Sequence, residues 1–483
     1  MIFGNYIDGL WQPASESRTF EKRNPADARD LIGKVPESTA TEVNAAVAAA
    51  RSALTGWRSL SSDVRAQFIF KAADLLSRRQ GEIAAALTRE EGKSLAEANG
   101  ETGRGVVILR YFAGEGLRPV GDVLPSLSPN TLLFTERVPL GVVGLITPWN
   151  FPVAIPLWKT APALVYGNTV VLKPSEHSPL TGQLLAEVFA EAGFPAGVFN
   201  LVQGGRETGE ALVAANGLNG ISFTGSVATG KTIARACVEQ GKRYQLEMGG
   251  KNPVIVLGDA NLERAVELTI QGAMKSAGEK CTATARAIVV EEVADEFTRR
   301  LVGRVRELEV GPGTDSRFYL GPLISASARD RALNYLEQAQ REGARLLCGG
   351  AVDPARDDLA HGHYLTPAVL DRVKPDMAIA QEEVFGPVLV VLRVSDFEQA
   401  LRVANDVAYG LSASIFTRNV DQAMRFAREI EAGLVRINGE TAGVEPQAPF
   451  GGMKGSSSFS REQGQAAREF YTQVKTISLD RAD

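Results

Sequence analysis

The chain contains few cysteines and few histidines, which narrows the chemistry it can perform. Three cysteines in 483 residues do not form a disulfide framework, and without an N-terminal export signal we expect a cytoplasmic protein. Three histidines leave few bases for a Ser-His or Cys-His mechanism, so a general base is expected to be Glu or Asp. His361 and His363 lie in a Gly- and Asp-rich loop without a third ligand, so we expect no metal site.

Long hydrophobic runs and basic clusters are also missing. No stretch of about 18 apolar residues occurs, so we expect no membrane-spanning helix. The formal net charge is −5, and no stripe of Lys and Arg predicts a nucleic-acid groove. Hydrophobic residues make up 44% and charged residues 23%, the balance of a globular protein with roughly two to four domains.

Hydrophobic periodicity predicts an α/β fold. Residues 40–117 are predicted to be helical, because Ala and Leu recur at three- and four-residue spacing through Val43–Leu54 and Val64–Ala86. From Gly141 onward, strand-like and helical runs alternate, which is typical of parallel sheets covered by helices. The predicted strands are Val142–Ile146, Thr169–Leu172, Val198–Val202, Ile221–Phe223 and Tyr244–Leu246, then Pro253–Leu257, Ile288–Val290, Val388–Leu392, Ser412–Phe416 and Leu434–Ile437. The predicted helices between them include Pro179–Ala192 and Gly230–Glu239. We therefore expect two lobes that meet near Gly249-Gly250.

Cys281 is the candidate nucleophile of the chain. It lies among small polar residues in Ser276–Thr282, directly after Lys280. This setting favours a partly exposed thiol whose thiolate is stabilised by a nearby cation or backbone amides. The alternative is a buried structural cysteine, which is how we interpret Cys237 and Cys348.

The segment Gly225–Thr232 matches the phosphate-loop pattern G-x-x-x-x-G-K-[ST] between a predicted strand and a predicted helix. An ATPase or kinase is therefore one hypothesis. A helix start offers free N–H groups to any phosphate, so a dinucleotide pyrophosphate would fit as well, and a plain strand-helix turn is the third alternative. Val254–Asp259 matches the magnesium-binding strand of an ATPase poorly, because Gly258 interrupts the apolar run.

Seven motifs in order resemble the aldehyde dehydrogenase superfamily over essentially the full chain. They are Thr147–Pro152, Lys173–Glu176, Phe223–Ser226, Leu246–Pro253, Cys281, Glu382–Val388 and Pro449–Gly452. The resemblance implies a Rossmann-like NAD(P)-binding domain of residues 1–117 and 138–249 and a catalytic domain of residues 250–449. It also implies a β-rich oligomerisation arm of residues 118–137 and 450–483, which would assemble a homodimer or homotetramer.

The resemblance also implies the roles of three catalytic residues. Cys281 would attack the aldehyde carbon, and the Asn150 side chain with the Cys281 backbone N–H would hold the oxyanion. After hydride transfer to the nicotinamide, Glu247 would activate the water that hydrolyses the thioester.

Cofactor residues are implied in the same way. Glu176 can accept a hydrogen bond from a ribose 2′-hydroxyl, which favours NAD. Lys173 and Ser175 would suit a 2′-phosphate, so both NAD and NADP stay open. The implied set comprises Lys173, Ser175 and Glu176 at the adenosine ribose, Trp149, Gly225, Ser226 and Gly230 near the pyrophosphate, and Glu383 and Phe385 at the nicotinamide.

Two positions depart from the family pattern. Glu279 stands where the family has Gln; a carboxylate aimed at the thiol would raise the pKa of Cys281, and Lys280 would offset it. The C-terminal K-x-S-G-x-G-R-E pattern has lost its glycines in Lys454–Glu462.

Three segments resemble a group within the superfamily that oxidises α-ketoglutaric semialdehyde. They are Gly100–Gly116, Gly278–Thr284 and Ile437–Gly464. Arg104 would grip a substrate carboxylate bidentately from the helix that lines the family's substrate tunnel; the alternative is a solvated helix arginine.

Phe151, Trp158 and the loop Thr441–Glu445 would complete the tunnel wall. The sequence thus predicts NAD(P)-dependent oxidation of a small-molecule aldehyde that carries a carboxylate, with α-ketoglutaric semialdehyde ahead of succinic semialdehyde. A phosphate-loop nucleotide hydrolase and a non-catalytic relative are the competing classes.

Overall fold

The structure, a computed structural model, describes residues 3–13, 18–118 and 120–481. The remaining parts of the predicted domains, residues 1–2, 14–17, 119 and 482–483, lie outside the described residues. The chain begins with the strands β1 (Gly4–Ile7), β2 (Leu10–Pro13), β3 (Thr19–Asn24) and β4 (Asp27–Pro36), followed by the helices α1 (Ala40–Ser59), α2 (Ser62–Arg78), α3 (Gln80–Glu91) and α4 (Leu95–Glu115).

The next elements alternate between strand and helix after a β-hairpin. They are β5 (Val123–Leu124), β6 (Thr131–Pro139), β7 (Val142–Ile146), α5 (Ala154–Val165), β8 (Thr169–Lys173), α6 (Pro179–Glu191), β9 (Phe199–Leu201), α7 (Arg206–Ala214), β10 (Gly220–Thr224), α8 (Val227–Glu239) and β11 (Arg243–Glu247).

A second α/β series follows. It comprises β12 (Asn252–Val256), α9 (Leu262–Met274), a 3-10 turn at Lys275–Gly278, β13 (Thr284–Val290), α10 (Glu291–Val305), α11 (Ala326–Arg341), β14 (Arg345–Gly350), a 3-10 turn at Asp357–Leu359, β15 (Thr366–Asp371), α12 (Ala378–Gln381), β16 (Val388–Val394), α13 (Phe397–Asn405), β17 (Tyr409–Gly410), β18 (Ser412–Phe416), α14 (Val420–Glu429) and β19 (Leu434–Ile437). The chain ends with β20 (Met453–Lys454), a 3-10 turn at Gly464–Ala466, α15 (Ala467–Tyr471) and β21 (Thr472–Asp480).

The predicted helical region is confirmed, with one difference. The run Val64–Ala86 forms two helices, because Arg79 both ends α2 and precedes α3. The Arg79 guanidinium is ion-paired with Glu82, Glu187 and Glu191. The apolar spacing continues through this junction, and Gly81, two residues after Arg79, is the only local sequence signal for the break.

The first sheet has the order β11-β10-β7-β8-β9-β1-β2. The strands from β11 to β9 run parallel, and β1 and β2 extend the edge as antiparallel strands. Every residue of β7 and β8 is buried, as expected of parallel strands with helices on both faces. The ends of β7, β8, β10 and β11 therefore present Thr147, Lys173, Thr224 and Glu247 at one edge of the sheet.

The second sheet has the order β14-β15-β16-β13-β12-β18-β19 and is parallel except for β14. The strands predicted at Ser412–Phe416 and Leu434–Ile437 are confirmed with the same bounds. β14 and β15 were not predicted. Within the described ranges, no helix has the length and apolar character needed to cross a membrane.

The segments predicted to form an arm pair with each other. β21 runs antiparallel to β6 over nine residue pairs, from Thr472 opposite Pro139 to Asp480 opposite Thr131, and β5 adds a third strand. Large apolar side chains are exposed on this sheet: Val123, Leu132, Val474 and Leu479. The division of the chain into three domains stays a prediction.

Candidate active site

Asn150 lies in the turn between β7 and α5 and is buried. Its side-chain Nδ2 donates to the backbone oxygen of Glu279 at 2.9 Å, which ties the turn to the residue two positions before Cys281. A side-chain amide nitrogen carries two hydrogens, so a second one is available to a substrate oxygen. The Asn150 backbone oxygen accepts from Lys93 Nζ at 2.7 Å.

Lys93 and Glu101 brace the turn that carries Asn150. Lys93 Nζ lies 2.7 Å from Glu101 Oε2 and 3.6 Å from the Glu91 carboxylate. Glu101 Oε1 accepts from the backbone N–H groups of Val153 and Ala154 at the start of α5, at 2.8 and 3.1 Å. The sequence analysis missed this brace, because its contacts join residues about 50 positions apart and leave no local pattern.

Cys281 follows a tightly turned segment. Ser276 and Ala277 have φ values of 54° and 50°, and a Cβ on Gly278 would lie 2.2 Å from the Gly386 carbonyl oxygen. The Cys281 side chain is half-buried, and burial, with the charges of Glu383 and Glu247, raises its pKa to about 12. The resting side chain is therefore a neutral thiol, which differs from the predicted stabilised thiolate.

The carboxyl of Glu279 is turned toward a backbone amide. Both of its oxygens accept from the Ile324 N–H, at 3.3 and 3.2 Å. Burial, and after it the Glu91 carboxylate, raises the pKa of Glu279 well above its ordinary value. The raised pKa favours the neutral form of this carboxyl, which adds no negative charge beside the thiol. Lys280 donates to the Gln271 carbonyl at 3.3 Å, and burial lowers its pKa to about 8.

Glu247 ends β11 and is only 1% exposed. Its Oε2 accepts from the Ser457 hydroxyl at 2.5 Å, and its Oε1 is buried without a hydrogen-bond partner among the described residues. Burial, followed by the nearby Glu462 carboxylate, raises the pKa of Glu247 well above its ordinary value. A carboxylate with a raised pKa is suited to take a proton from water near neutral pH.

A second carboxylate, Glu462, lies behind Glu247 and was missed by the sequence analysis. It accepts from Trp158 Nε1 at 2.7 Å, from Ser222 Oγ at 3.2 Å and from Lys159 Nζ. Trp158, predicted as a tunnel residue, therefore donates its indole N–H to Glu462. Its ring lies 5.4 Å from the Phe450 ring.

The predicted ribose residues form one cluster at the end of β8. Lys173 Nζ donates to the carbonyls of Pro174 and Gly204, each at 2.9 Å, and burial lowers its pKa. Ser175 Oγ donates to Glu176 Oε2 at 3.3 Å. Burial acts to raise the pKa of Glu176, but Lys173, a backbone hydrogen bond, His177 and Ser175 together hold that pKa below the ordinary value.

The loop between β10 and α8 is too short for a phosphate loop. α8 begins at Val227, so only Gly225 and Ser226 separate the strand from the helix. Ser226 caps this helix by accepting from the Thr229 N–H at 3.3 Å, and Lys231 is exposed on the helix surface. A phosphate loop needs the residues before its lysine outside the helix to surround a phosphate. The geometry disfavours an ATPase or kinase.

Glu383, Trp149 and Phe385 are further predicted cofactor residues, and the charge of Glu383 acts on the Cys281 thiol. Glu383 Oε1 accepts from the Gly250 N–H at 3.0 Å, and burial raises the pKa of Glu383 to about 7. Phe385 adopts a positive φ of 58°, and its ring meets Trp149 edge-on at 5.7 Å. Gly230, also predicted to bind cofactor, packs closely on Met248, because a Cβ there would lie 2.5 Å from the Met248 sulfur.

The edge formed by these residues fits a nicotinamide dinucleotide. Within the part of the chain that the structure describes, the hydroxyls of Thr147 and Thr224 are buried without a partner. Thr147 follows β7 and Thr224 ends β10. These strands are adjacent and parallel, and open α/β sheets bind dinucleotides at this edge. Unsatisfied buried hydroxyls at this edge are available to a polar ligand.

Arg104 lies on α4 and is half-buried. Its Nη2 is buried and has no hydrogen-bond partner among the residues described. Burial lowers the pKa of Arg104, and the Glu445 carboxylate acts against this effect. Glu445 belongs to the loop Thr441–Glu445, and Thr441 Oγ1 donates to the carbonyl of Thr282, next to Cys281, at 2.7 Å. The guanidinium therefore does not behave as a solvated helix arginine.

Two further predicted positions have simple environments. The Phe151 ring lies 4.6 Å from Lys93 Nζ, beside the brace. His361 is exposed, and within the described ranges no cluster of three His, Cys, Asp or Glu side chains is arranged to hold a metal ion.

Comparison with known proteins agrees with this geometry. Residues 11–477 match the model of the Aldehyde dehydrogenase family. The chain is 52% identical over 98% of its length to the alpha-ketoglutaric semialdehyde dehydrogenase of Bacillus subtilis (strain 168), covering 97% of that protein. It is 44% identical to the alpha-ketoglutarate semialdehyde dehydrogenase of Haloferax volcanii, with 98% of both chains covered.

Solved structures are similar over the whole chain. The betaine aldehyde dehydrogenase of Staphylococcus aureus in complex with NAD+ superposes with a TM-score of 0.96 at 34% identity, covering 99% of this chain and 95% of that one. HpcC from Thermus thermophilus gives a TM-score of 0.96 at 39% identity, covering 99% and 93%. From motif order, site geometry and these comparisons together, the chain belongs to the aldehyde dehydrogenase family.

Proposed function

We propose that the protein oxidises α-ketoglutaric semialdehyde to 2-oxoglutarate with NAD or NADP. The observation that supports this substrate is the Nη2 atom of Arg104. That atom is buried and has no hydrogen-bond partner among the described residues, and it lies near the loop that contacts Thr282. A buried guanidinium nitrogen without a partner is costly, and a substrate carboxylate would satisfy it. The Bacillus subtilis relative that is 52% identical bears the name of this activity.

In the proposed mechanism, the Cys281 thiol releases its proton to water and the sulfur adds to the aldehyde carbon. The free amide hydrogen of Asn150 and the Cys281 backbone N–H stabilise the oxyanion of the thiohemiacetal. Each preorganised donor of this kind contributes about 3–4 kcal/mol to the transition state. Bound NAD(P)+ supplies the hydride acceptor.

Loss of hydride from the thiohemiacetal leaves a thioester on Cys281. Water attacks the thioester carbon while Glu247 takes the proton of the water, and the sulfur leaves as the carboxylic acid forms. Glu247 is suited to this step because its raised pKa makes its carboxylate a stronger base than that of an ordinary carboxyl.

The cofactor residues are proposed as predicted: Lys173, Ser175 and Glu176 at the adenosine ribose, Trp149, Gly225, Ser226 and Gly230 near the pyrophosphate, and Glu383 and Phe385 at the nicotinamide. The domain boundaries are proposed with them. The exposed apolar sheet of β5, β6 and β21 supports association into a homodimer or homotetramer. Free thiols at all three cysteines support a cytoplasmic enzyme.

The test is reduced-nicotinamide absorbance with NAD and with NADP. The aldehyde panel comprises α-ketoglutaric semialdehyde, succinic semialdehyde, benzaldehyde and propanal. The highest kcat/KM is expected for α-ketoglutaric semialdehyde. A preference for benzaldehyde or propanal would contradict the proposed substrate.

Arg104→Ala tests the carboxylate contact directly. Hydrogen bonds to charged groups contribute about 1.5–3 kcal/mol, so kcat/KM for the semialdehyde should fall about 10- to 100-fold, while that for propanal changes little. Arg110→Ala is the matched control, because Arg110 is an exposed arginine of the same helix that pairs with Asp74 at 3.1 Å. Equal losses on charged and uncharged aldehydes would refute the contact.

A further inference from the structure

The segment Ser456–Ser458, called here the serine segment, pairs with the end of β11. The Met248 N–H donates to the Ser456 carbonyl at 2.7 Å, and the Ser458 N–H donates to the Leu246 carbonyl at 2.9 Å. Ser457 therefore lies directly opposite Glu247 in an antiparallel bridge. This is the segment in which the family's glycine pattern is lost, and Ser457 stands at the position of its first glycine.

The Ser457 hydroxyl has two hydrogen bonds of defined direction. Its oxygen accepts from the Gly452 N–H at 2.6 Å, and it lies 2.5 Å from Glu247 Oε2. A backbone N–H only donates, so the single hydroxyl hydrogen of Ser457 is free to point at the carboxylate. Ser457 therefore donates to Oε2 of Glu247.

The two oxygens of Glu247 are consequently unequal. Oε2 is occupied by the Ser457 hydroxyl, whereas Oε1 is buried without a partner among the described residues. Oε1 faces Gly451, since a Cβ on that glycine would lie 3.0 Å from it. A side chain at residue 451 would crowd both Oε1 and Arg461, whose Cδ lies 2.6 Å from the same Cβ position.

We propose that Ser457 is a positioning residue that reserves Oε1 of Glu247 as the atom that accepts the proton of the hydrolytic water. The inference rests on the proposed function of Glu247 as the base in thioester hydrolysis. The proton passes from water to Oε1, the water oxygen bonds to the thioester carbon, and the Cys281 sulfur leaves with the electron pair of the C–S bond.

Charged and titratable groups from several elements face Glu247. They are Glu462 and Arg461 from the C-terminal segment, Lys159 from α5, and the thiol of Cys281. Among these influences, the Ser457 hydrogen bond lowers the pKa of Glu247. Its removal should raise that pKa, so the acid limb of the hydrolysis rate should move to higher pH.

The experiment measures single-turnover decay of the acyl-enzyme against pH, by mass spectrometry of acid-quenched samples with α-ketoglutaric semialdehyde. Ser457→Ala should slow decay by about tenfold or more at neutral pH and shift the acid limb upward. Ser457→Thr keeps the hydroxyl and should restore both. Ser458→Ala, whose hydroxyl accepts from the Leu246 N–H instead, is the matched control and should leave the limb in place.

The outcomes distinguish a failure of the role of Ser457 from a failure of Glu247 as the base. An unshifted limb with an unchanged decay rate in Ser457→Ala overturns the inference, and so does an equal shift in Ser458→Ala. Glu247→Gln tests the underlying function. If it hydrolyses the acyl-enzyme at the wild-type rate, the proposed base itself fails, whatever Ser457→Ala does.

Discussion

Lys93→Met tests the brace behind the Asn150 turn. The Lys93 side chain is 1% exposed and its ammonium bridges Glu101, Glu91 and the Asn150 carbonyl. Removal of one partner from a buried ion pair costs about 3–5 kcal/mol. We expect about 3 kcal/mol, because Glu101 keeps the two N–H donors at the start of α5.

This loss converts into a modest change in melting temperature. Unfolding entropy is about 2.1 cal/mol/K per residue, or about 1 kcal/mol/K for a chain of 483 residues, so Tm should fall by about 3 °C. The turn would also loosen, and kcat should fall because Asn150 no longer meets the oxyanion in a fixed position.

The loss of stability should depend on pH. Burial raises the pKa of Glu91 to about 8, with Lys93 limiting the rise. Without Lys93 the pKa moves higher, so above about pH 8 the variant must still take up a proton on folding, whereas the wild type does not. The difference in Tm should therefore widen as pH rises through 8 and narrow below it.

Differential scanning fluorimetry across this pH range, with kcat for α-ketoglutaric semialdehyde, measures both effects. Lys71→Met is the matched control, because Lys71 also lies over an aromatic ring, 5.6 Å from the Phe68 centroid, but is exposed. It should change stability by less than about 0.5 kcal/mol. A Tm and kcat for Lys93→Met equal to those of Lys71→Met would refute the brace.

Three further predictions concern the reacting groups. Asn150→Ala should lower kcat about 100- to 1000-fold in steady-state assays, and a loss below about tenfold would count against its oxyanion role. Glu279→Gln should leave the pH profile of kcat/KM unchanged, since a neutral carboxyl and an amide present the same acceptor to Ile324; a shifted profile would contradict this. Alkylation of Cys281 by iodoacetamide in the free enzyme should rise about tenfold per pH unit from pH 7 to 9, with Cys281→Ser as control, because the thiol pKa is about 12; a plateau in that range would refute it.

The sequence predicted most of the buried strands, although it missed the buried strand β15 and found the partly exposed edge strand β19. β7 and β18 are buried along their whole length, and the structure has them at the predicted bounds. Edge strands were harder to predict: β14 is half-buried and antiparallel, and β1 and β2 have only four residues each. Such strands owe their stability to the sheet they join, so their own residues carry a weak signal.

The sequence also identified only part of the candidate site. Cys281, Asn150 and Glu247 were identified because each lies in a recognisable motif. Their hydrogen-bond partners are distant: Asn150 reaches Glu279 across 129 residues, and Glu247 reaches Ser457 across 210. No local periodicity specifies such contacts, which is why Ser457, Lys93 and Glu462 emerged only from the folded chain.

The central claim is that Cys281 carries the oxidation of α-ketoglutaric semialdehyde. The most direct measurement counts 2-oxoglutarate and reduced nicotinamide formed by wild type and by Cys281→Ala. The account predicts one 2-oxoglutarate for each reduced cofactor in the wild type and no turnover in Cys281→Ala. Turnover that survives the loss of Cys281, or reduced cofactor without the acid, would contradict it.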